Sequence, residues 1–375
     1  MKKTINRRQW LQKSTLATTL LAVGCRTNFD IPQAPITKIS NPTTPLPLNW
    51  NENPYGPATS AVQAVAEIMT KANRYPDAMV AELKSFIAQK FALQDENVLL
   101  TNGSTEILGL VGQQVGLEKG EIVTPWPSFP TLTFFGEQSG ATIQKVSLDK
   151  NNRIDLDLTL AAITENTKVV FICNPNNPTG TEVDHDSLES FCRAVPKDVL
   201  ILVDEAYIEY SKNGVAGSVI PLIPTLPNLM VSRTFSKAYG LAGLRLGYAL
   251  SNKQHIDALK HRYVGAEFAT GWPALVAAKA TMEDPTFINR CIQKNQEGRE
   301  IVYRAFDKWG VDYAPSSTNF IYAQSNHFVA DVRSKLKEKH ILITKWPDMQ
   351  DHIRISISIP EHMEQFVKVV EGFLV

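Results

Sequence analysis

The sequence has no excess of charge of either sign, since 38 Lys and Arg residues balance 38 Asp and Glu residues among 375. This balance argues against a protein that coats nucleic acid, which needs a basic face. Four cysteines are too few for a disulfide scaffold, and no Cys-x-x-Cys pair offers a zinc site. Hydrophobic residues make up 43% and aromatic residues 9%, as in a packed protein. The length suggests two domains, or one large domain with an appendage.

Residues 1–24 have the organisation of a targeting signal. A basic segment with a twin arginine, Arg7 and Arg8, precedes an uncharged stretch at 14–24 that is too short to span a bilayer. Residues 20–25 resemble a lipoprotein cleavage box, in which Cys25 would be acylated, although Ala22 stands where leucine is commoner. The alternative is an arginine-rich helix with a chance cysteine.

The signal predicts export by the twin-arginine route. The product would be periplasmic, or a lipoprotein whose contact with the membrane is a lipid on Cys25. Residues 25–47 are rich in Pro, Thr and Asn without a helical period, which is typical of a tether.

The rest of the chain alternates between short apolar runs and helical periods. Unbroken apolar runs suit strands that are buried on both faces of a mostly parallel sheet. They stand at 98–100, 169–172, 199–203 and 229–231. With the helical stretches between them they predict a doubly wound α/β domain over about 70–255. A long helical region at 272–307 and strands at 319–322 and 353–357 predict a second, smaller α+β domain.

Polar residues follow each apolar run, where an open α/β sheet binds its ligands. Ser104 and Thr105 begin a helix after the first run, so they either bind an anion or simply cap the helix. Two Asn-Pro steps at 174–178 make a stiff loop that suits the positioning of an amide side chain.

Two ionisable residues follow the later runs. Asp204 directly ends a buried strand, so it needs a partner: a salt bridge, a helix N-terminus or a cationic ligand atom. Lys237 has hydroxyl residues beside it and Arg245 eight positions on. It is either surface decoration or, when partly buried, an amine nucleophile.

Taken together in this order, three segments resemble the signatures of the fold-type I pyridoxal-phosphate aminotransferases of class I and II. They are 176–180 (Asn-Asn-Pro-Thr-Gly), 204–207 (Asp-Glu-Ala-Tyr) and the Ser-Lys to Arg spacing at 236–245. The segment 51–57 resembles the histidinol-phosphate aminotransferase branch, and the resemblance covers about 46–375.

The resemblance implies an α/β fold like that of aspartate aminotransferase. It has a large domain with a mostly parallel sheet flanked by helices, and a smaller α+β domain. The implied divisions are an N-terminal arm with the start of the small domain at 48–69, a pyridoxal-phosphate domain at 70–258 and a C-terminal small domain at 259–375.

The resemblance also implies catalytic roles. Lys237 would bind the cofactor, pyridoxal 5'-phosphate, as a Schiff base and would then move the proton at the substrate α-carbon. Asp204 would face the pyridine nitrogen and keep it protonated. Asn177 and Tyr207 would hydrogen-bond the ring hydroxyl. Phe129 would stack on the ring, with Trp126 as the neighbouring alternative.

Further implied contacts concern the cofactor phosphate and the substrate. The phosphate would bind the backbone amides of Ser104 and Thr105, the hydroxyls of Ser236 and Thr234, and the guanidinium of Arg245. Tyr55 would reach the cofactor of a neighbouring subunit, which predicts a homodimer. Arg354 would bind the substrate carboxylate, with Asn177 and Tyr55 as further substrate contacts.

The substrate class is the least determined point. The histidinol-phosphate branch usually has a second arginine after the strand at 340–343, where this chain has Thr344 and Lys345. This departure disfavours phosphate-ended substrates, although Lys345 could bind an anion without bidentate geometry. We expect an amino acid or an amino-alcohol phosphate as donor and a 2-oxo acid such as 2-oxoglutarate as acceptor. A decarboxylase or lyase on the same scaffold is the alternative. A transcription regulator is disfavoured, because residues 1–50 contain no helix-turn-helix.

Overall fold

The strands bring the ends of the predicted apolar runs to one edge of a central sheet. A computed structural model describes residues 45–263, 269–344, 347–349 and 351–375. The predicted signal, the twin arginine, Cys25, Lys345 and residues 25–44 of the tether lie outside the described residues. The division into two domains stays a prediction.

The described part of the chain alternates between strands and helices from residue 98 to residue 260. The strands are β1 (Leu46–Leu48), β2 (Val98–Thr101), β3 (Glu121–Trp126), β4 (Thr142–Ser147), β5 (Thr167–Cys173), β6 (Leu200–Asp204), β7 (Leu229–Thr234), β8 (Gly247–Ser251), β9 (Tyr313–Ala314), β10 (Phe320–Gln324), β11 (Ile341–Ile343) and β12 (His352–Ser356). The helices are α1 (Thr59–Ile68), α2 (Asp77–Lys90), α3 (Ser104–Leu117), α4 (Thr131–Ser139), α5 (Leu156–Ala161), α6 (His185–Ala194), α7 (Lys253–Lys260), α8 (Trp272–Met282), α9 (Pro285–Trp309), α10 (Val332–Glu338) and α11 (Pro360–Glu371). None of these helices is both long and apolar enough to cross a bilayer.

Seven strands form the central sheet in the order β2-β8-β7-β6-β5-β3-β4. The pairs from β4 through β7 are parallel, and β8 pairs antiparallel with both β7 and β2. The predicted mostly parallel sheet is therefore confirmed. The run at 98–100 forms β2, which runs in the same direction as β3–β7, whereas its neighbour β8 runs in the opposite direction.

Three strands of this sheet, β3, β4 and β8, were missed by the sequence reasoning. Strand β4 lies at the edge of the sheet, and most of its side chains are not buried. An edge strand needs no unbroken apolar run, so the signal used for the other strands was absent from β4.

The central strands are buried on both faces. Val170 and Ile172 contact one hydrophobic cluster, whereas Val169 and Phe171 contact another on the opposite face. Because side chains alternate along a strand, both faces must be apolar, which explains the unbroken runs.

The C-terminal part contains a three-stranded antiparallel sheet in the order β12-β10-β9. The predicted long helical region at 272–307 consists of two helices, α8 and α9. The carboxylate of Asp284 accepts a hydrogen bond from the backbone N–H of Phe287, and Pro285 occupies the first turn of α9. A cap followed by proline starts a new helix, which explains the division.

Strand β1 pairs in parallel with β11. Leu46 and Pro47, the last residues of the predicted tether, therefore belong to the folded protein. This pairing carries the following segment, 49–52, to the central sheet.

Candidate active site

A cavity of about 590 Å³ opens at the carboxyl ends of β5, β6 and β7, beside the start of α3. All predicted site residues except Tyr55 line it. They are Ser104, Thr105, Phe129, Asn177, Asp204, Tyr207, Thr234, Ser236, Lys237, Arg245 and Arg354. Parallel strands deliver their carboxyl ends to one edge, so residues separated by up to 250 positions share this cavity.

Lys237 is partly buried, and its Nζ donates a hydrogen bond to the backbone carbonyl of Trp50 at 3.0 Å. Burial, assisted by the positive charge of Arg354, lowers the pKa of Lys237 to about 8, and the negative charges of Glu52 and Asp204 oppose this shift. An amine with this pKa is neutral in roughly a tenth of molecules at pH 7, far more than an ordinary lysine, which suits a nucleophile and a proton carrier.

Asp204 is 2% exposed at the end of β6. The register of β6 and β7 places Ser232 opposite it, and the Ser232 hydroxyl donates to Asp204 Oδ1 at 2.7 Å. Burial raises the pKa of Asp204 to about 6, although the Ser232 hydrogen bond lowers it in part. A cationic group above this carboxylate would stabilise its charged form.

Tyr207 and Asn177 form a buried pair beside the lysine. The Tyr207 hydroxyl accepts hydrogen bonds from Asn51 Nδ2 at 3.0 Å and from Asn177 Nδ2 at 3.4 Å. Burial raises the pKa of Tyr207 well above its usual range, so the phenol keeps its proton at neutral pH. It can therefore donate that proton to an oxygen of a bound ring.

Arg354 is buried on β12, where its guanidinium links Asn177 to Asn49 and Thr344 on the other side of the cavity. Its Nη1 donates to Asn177 Oδ1 at 2.6 Å, and its Nη2 donates to the Asn49 carbonyl at 2.8 Å and to Thr344 Oγ1 at 3.2 Å. Burial lowers the pKa of Arg354 to about 10, so the group remains cationic at neutral pH. A buried guanidinium at this position can bind a carboxylate.

An anion cradle lies at the other end of the cavity. Ser104 and Thr105 form the first turn of α3, where backbone N–H groups are free of helical partners. The Arg245 Nη1 donates to Ser236 Oγ at 3.2 Å, and the Ser236 N–H donates to Thr234 Oγ1 at 3.1 Å. These donors and charges suit a phosphate group.

Phe129 and Trp126 are distinguished by the structure. Phe129 lines the cavity, whereas Trp126 stacks under Lys145, whose Nζ lies 4.0 Å from the centre of the indole ring. Phe129 is therefore the aromatic residue placed to face a bound ring.

Tyr55 does not line this cavity. Its hydroxyl is buried and has no hydrogen-bond partner within the described residues. The predicted contact of Tyr55 concerns a second subunit, so it stays a prediction.

The sequence predicted no site role for several residues that line the cavity: Asn49, Trp50, Asn51, Glu52, Cys173 and Arg333. Asn51 has a φ of 55° and its backbone N–H donates to Ser356 Oγ at 2.9 Å. Asparagine tolerates the left-handed region, but the sequence offers no signal for the distant partner.

Comparison with known proteins identifies the family. The family model for aminotransferase class I and II matches residues 43–370. The chain belongs to this family. As a class I and II aminotransferase it is an enzyme that uses pyridoxal 5'-phosphate, which confirms the predicted family, activity and cofactor.

Curated relatives cover most of the aminotransferase. Histidinol-phosphate aminotransferase from Brevibacillus brevis is 36% identical over 88% of this chain and 90% of its own length. The enzyme of the same name from Bacillus licheniformis is 36% identical over 86% of this chain and 90% of its own length.

Solved structures agree with the predicted fold. Histidinol-phosphate aminotransferase from Sinorhizobium meliloti, in complex with pyridoxal 5'-phosphate, superposes with a TM-score of 0.78 at 26% identity, covering 88% of this chain and 91% of that one. A mutant of aspartate aminotransferase from Thermus thermophilus superposes with a TM-score of 0.77 at 19% identity, covering 86% and 95%. The second likeness supports the fold alone.

The cavity fits the cofactor. A Cβ on Gly103 would lie 2.6 Å from the Arg245 guanidinium, and a Cβ on Gly247 would lie 2.5 Å from the Ser104 backbone nitrogen. Only glycine therefore allows the cradle to close around an anion. When bound, pyridoxal 5'-phosphate supplies an electron sink for charge that develops at the substrate α-carbon. Asp204 would stabilise a positive charge on its ring nitrogen, and Lys237 would hold it covalently.

The lowered pKa of Lys237 predicts a shifted pH dependence of cofactor loading. In the apoenzyme, the rate of covalent incorporation should rise through a midpoint near pH 8, because the neutral amine is the reactive form. Arg354→Gln removes a repelling positive charge, so it should move that midpoint to higher pH. Borohydride reduction at timed intervals, followed by peptide mapping of Lys237, measures both curves. A wild-type midpoint near the ordinary 10.5 would contradict the assignment.

Gly103→Ala should open the anion cradle. Gly103 has a φ of +88°, where a side chain costs about 1–2 kcal/mol, and its Cβ would displace Arg245. Loss of one charge-assisted hydrogen bond weakens binding by roughly 10–100-fold, so the Kd for pyridoxal 5'-phosphate should rise in that range. Gly271→Ala is the control, since its nearest neighbour is 3.7 Å from the added Cβ. Equal cofactor affinity in the two variants would refute the cradle.

Proposed function

We propose that this aminotransferase moves an amino group from an amino acid or an amino-alcohol phosphate to a 2-oxo acid such as 2-oxoglutarate. One observation carries the proposal. Lys237 and Asp204, at the ends of β7 and β6, share a cavity with the buried cation Arg354. A nucleophilic amine, a carboxylate for a ring nitrogen and an anion-binding guanidinium are the groups that this reaction requires.

Each residue has a role in the proposed reaction. Lys237 would hold the cofactor through Nζ and would carry the proton at the substrate α-carbon. Asp204 would favour a protonated ring nitrogen, and Tyr207 with Asn177 would hydrogen-bond the ring hydroxyl. Arg354 would orient the substrate through its carboxylate, or through the phosphate of an amino-alcohol phosphate, so that the α-proton faces Lys237.

The amino donor of this enzyme need not be the histidinol phosphate for which its relatives are named. Thr344 stands where the histidinol-phosphate branch usually has an arginine, and its hydroxyl donates to the Asn49 carbonyl at 2.7 Å. A threonine at that position cannot supply the positive charge that a phosphate-ended donor would meet there. Histidinol phosphate therefore enters the test as one donor among several.

The test is a donor screen on the purified protein loaded with pyridoxal 5'-phosphate. Glutamate, aspartate, aromatic amino acids and histidinol phosphate are each supplied with 2-oxoglutarate or, for glutamate, with another 2-oxo acid. We expect the matching keto product and the new amino acid in equal amounts. Release of carbon dioxide without a keto product would favour the alternative decarboxylase and contradict amino transfer.

We propose further that the enzyme acts as a homodimer in which Tyr55 contacts the cofactor of the partner. The support is that the segment 51–57 resembles the histidinol-phosphate branch and that Tyr55 does not line its own cavity. Light scattering should give twice the chain mass. Mixing inactive Lys237→Ala subunits with Tyr55→Ala subunits should restore activity in mixed dimers; no restoration would contradict a shared site.

Export by the twin-arginine route, with acylation at Cys25, is the proposal for localisation. It is supported by Arg7, Arg8 and the uncharged segment 14–24. Replacing both arginines by lysine should retain the protein in the cytoplasm. Mass spectrometry of the exported form should show a lipid on Cys25, and an unprocessed cytoplasmic chain in the wild type would refute the proposal.

A further inference from the structure

Four cationic side chains line the cavity, and the proposed reaction uses three of them. Arg245 serves the cofactor phosphate, Lys237 the chemistry and Arg354 the substrate carboxylate. Arg333 also lines the cavity and has no role so far.

Helix α10 holds Arg333 at this place. Val332 and Leu336, on the inner face of the helix, are buried in the C-terminal hydrophobic cluster. Arg333 follows Val332 directly, and its side chain is exposed to solvent at the cavity. The backbone that carries it is therefore anchored, while the exposed side chain of Arg333 is not held by packing.

A hydrogen-bond partner of Arg354 lies on the same side of the cavity as Arg333. Helix α10 leads into β11, and Ile343 and Thr344 at the end of β11 also line the cavity. Thr344 forms a backbone bridge with Arg354 and accepts a hydrogen bond from it. Arg333 and Arg354 thus belong to one continuous wall, one exposed and one buried.

The chemistry of the reaction gives this second cation a use. Amino donor and 2-oxo acid occupy one cavity in turn, and an acceptor such as 2-oxoglutarate has a second carboxylate. Arg354 is tied to Asn177, Asn49 and Thr344, so it can take one anionic group but not two. A mobile arginine can bind a second anion in bidentate fashion and withdraw when the substrate side chain is neutral.

We infer that Arg333 is a specificity-determining residue that binds a second anionic group of the substrate, either a carboxylate or a phosphate. This inference rests on the proposed amino transfer. Arg333 on α10 would then supply the positive charge that Thr344 does not supply.

The test compares Arg333→Gln with Lys337→Gln, which removes an equal charge one turn along the same helix from a residue that does not line the cavity. Two matched substrate pairs are used: 2-oxoglutarate against 2-oxopentanoate, and 2-amino-4-phosphonobutyrate against 2-aminobutyrate, in which the phosphonate stands in for a phosphate. Each pair keeps the carbon skeleton and differs in one anionic group. The rate of each half-reaction is measured over a range of substrate concentrations, so that the effect on KM is separated from the effect on kcat.

Arg333→Gln should raise KM for the charged member of at least one pair by about 10–100-fold, the loss expected for a hydrogen bond to a charged group. It should change kcat and the uncharged member less than about twofold, and Arg333→Lys should recover part of the loss. The sensitive pair tells whether the anion is a carboxylate or a phosphate.

Two results would overturn the inference: an unchanged KM in both pairs, or an equal effect of Lys337→Gln. An inactive wild type would instead refute the proposed amino transfer. The two failures can therefore be told apart.

Discussion

Lys237→Ala is expected to lower kcat for amino transfer by about 10³-fold or more, the upper range for loss of a positioned acid–base group. The variant should also lose the covalent link to the cofactor, because the methyl group of alanine offers no nucleophile. Reduction with borohydride should then leave no labelled peptide around position 237. Activity and labelling are measured on the same preparation.

Folding is controlled separately for this variant. The lowered pKa of Lys237 shows that burial disfavours its charge, so removing the side chain should not destabilise the apoenzyme. Lys90→Ala, at the exposed end of α2, serves as the control for loss of a lysine. Full activity in Lys237→Ala, or labelling that persists at another lysine, would overturn the assignment.

Asp204→Asn is expected to lower kcat on the order of 10³-fold, since a neutral amide cannot hold a positive charge on the ring nitrogen. Asparagine has nearly the same shape and can still accept the hydrogen bond from Ser232. The loss should therefore appear in kcat, with much less change in the Kd for the cofactor. Absorbance spectra and steady-state rates measure the two effects.

The same substitution should stabilise the apoenzyme at pH 7. Because the pKa of Asp204 is raised from 3.8 to about 6, the folded state holds a proton that the unfolded state releases. Stability linked to this proton is fully present below pH 3.8 and is lost as pH rises through about 6. Asp204→Asn should escape that loss, so its Tm should exceed the wild-type Tm at pH 7 and match it near pH 3.5.

Asp198→Asn, at an exposed carboxylate just before β6, is the matched control. It should change neither kcat nor the pH dependence of Tm. A lower Tm for Asp204→Asn at pH 7 would show that the buried carboxylate is stabilised by a partner in the apoenzyme, contrary to its raised pKa.

Local patterns predicted much of the fold. The apolar runs at 169–172 and 199–203 became β5 and β6, because strands buried on both faces require them. Strand β4 escaped, since an edge strand keeps polar residues. The helical region predicted at 272–307 is divided where Asp284 and Pro285 begin α9.

The order of residues along the chain was enough to predict the reactive groups: Asp204 directly ends an apolar run, and the hydroxyl residues and Lys237 lie within about six residues of one. Local chemistry suffices for this, because a strand end and its side chain are adjacent in the chain. The tertiary structure decided which distant groups join them. Pairing of β1 with β11 brings residues 49–52 to the cavity, and helix α10 adds Arg333. It also set the pKa of Lys237 and Asp204, because burial arises from contacts between residues far apart in sequence.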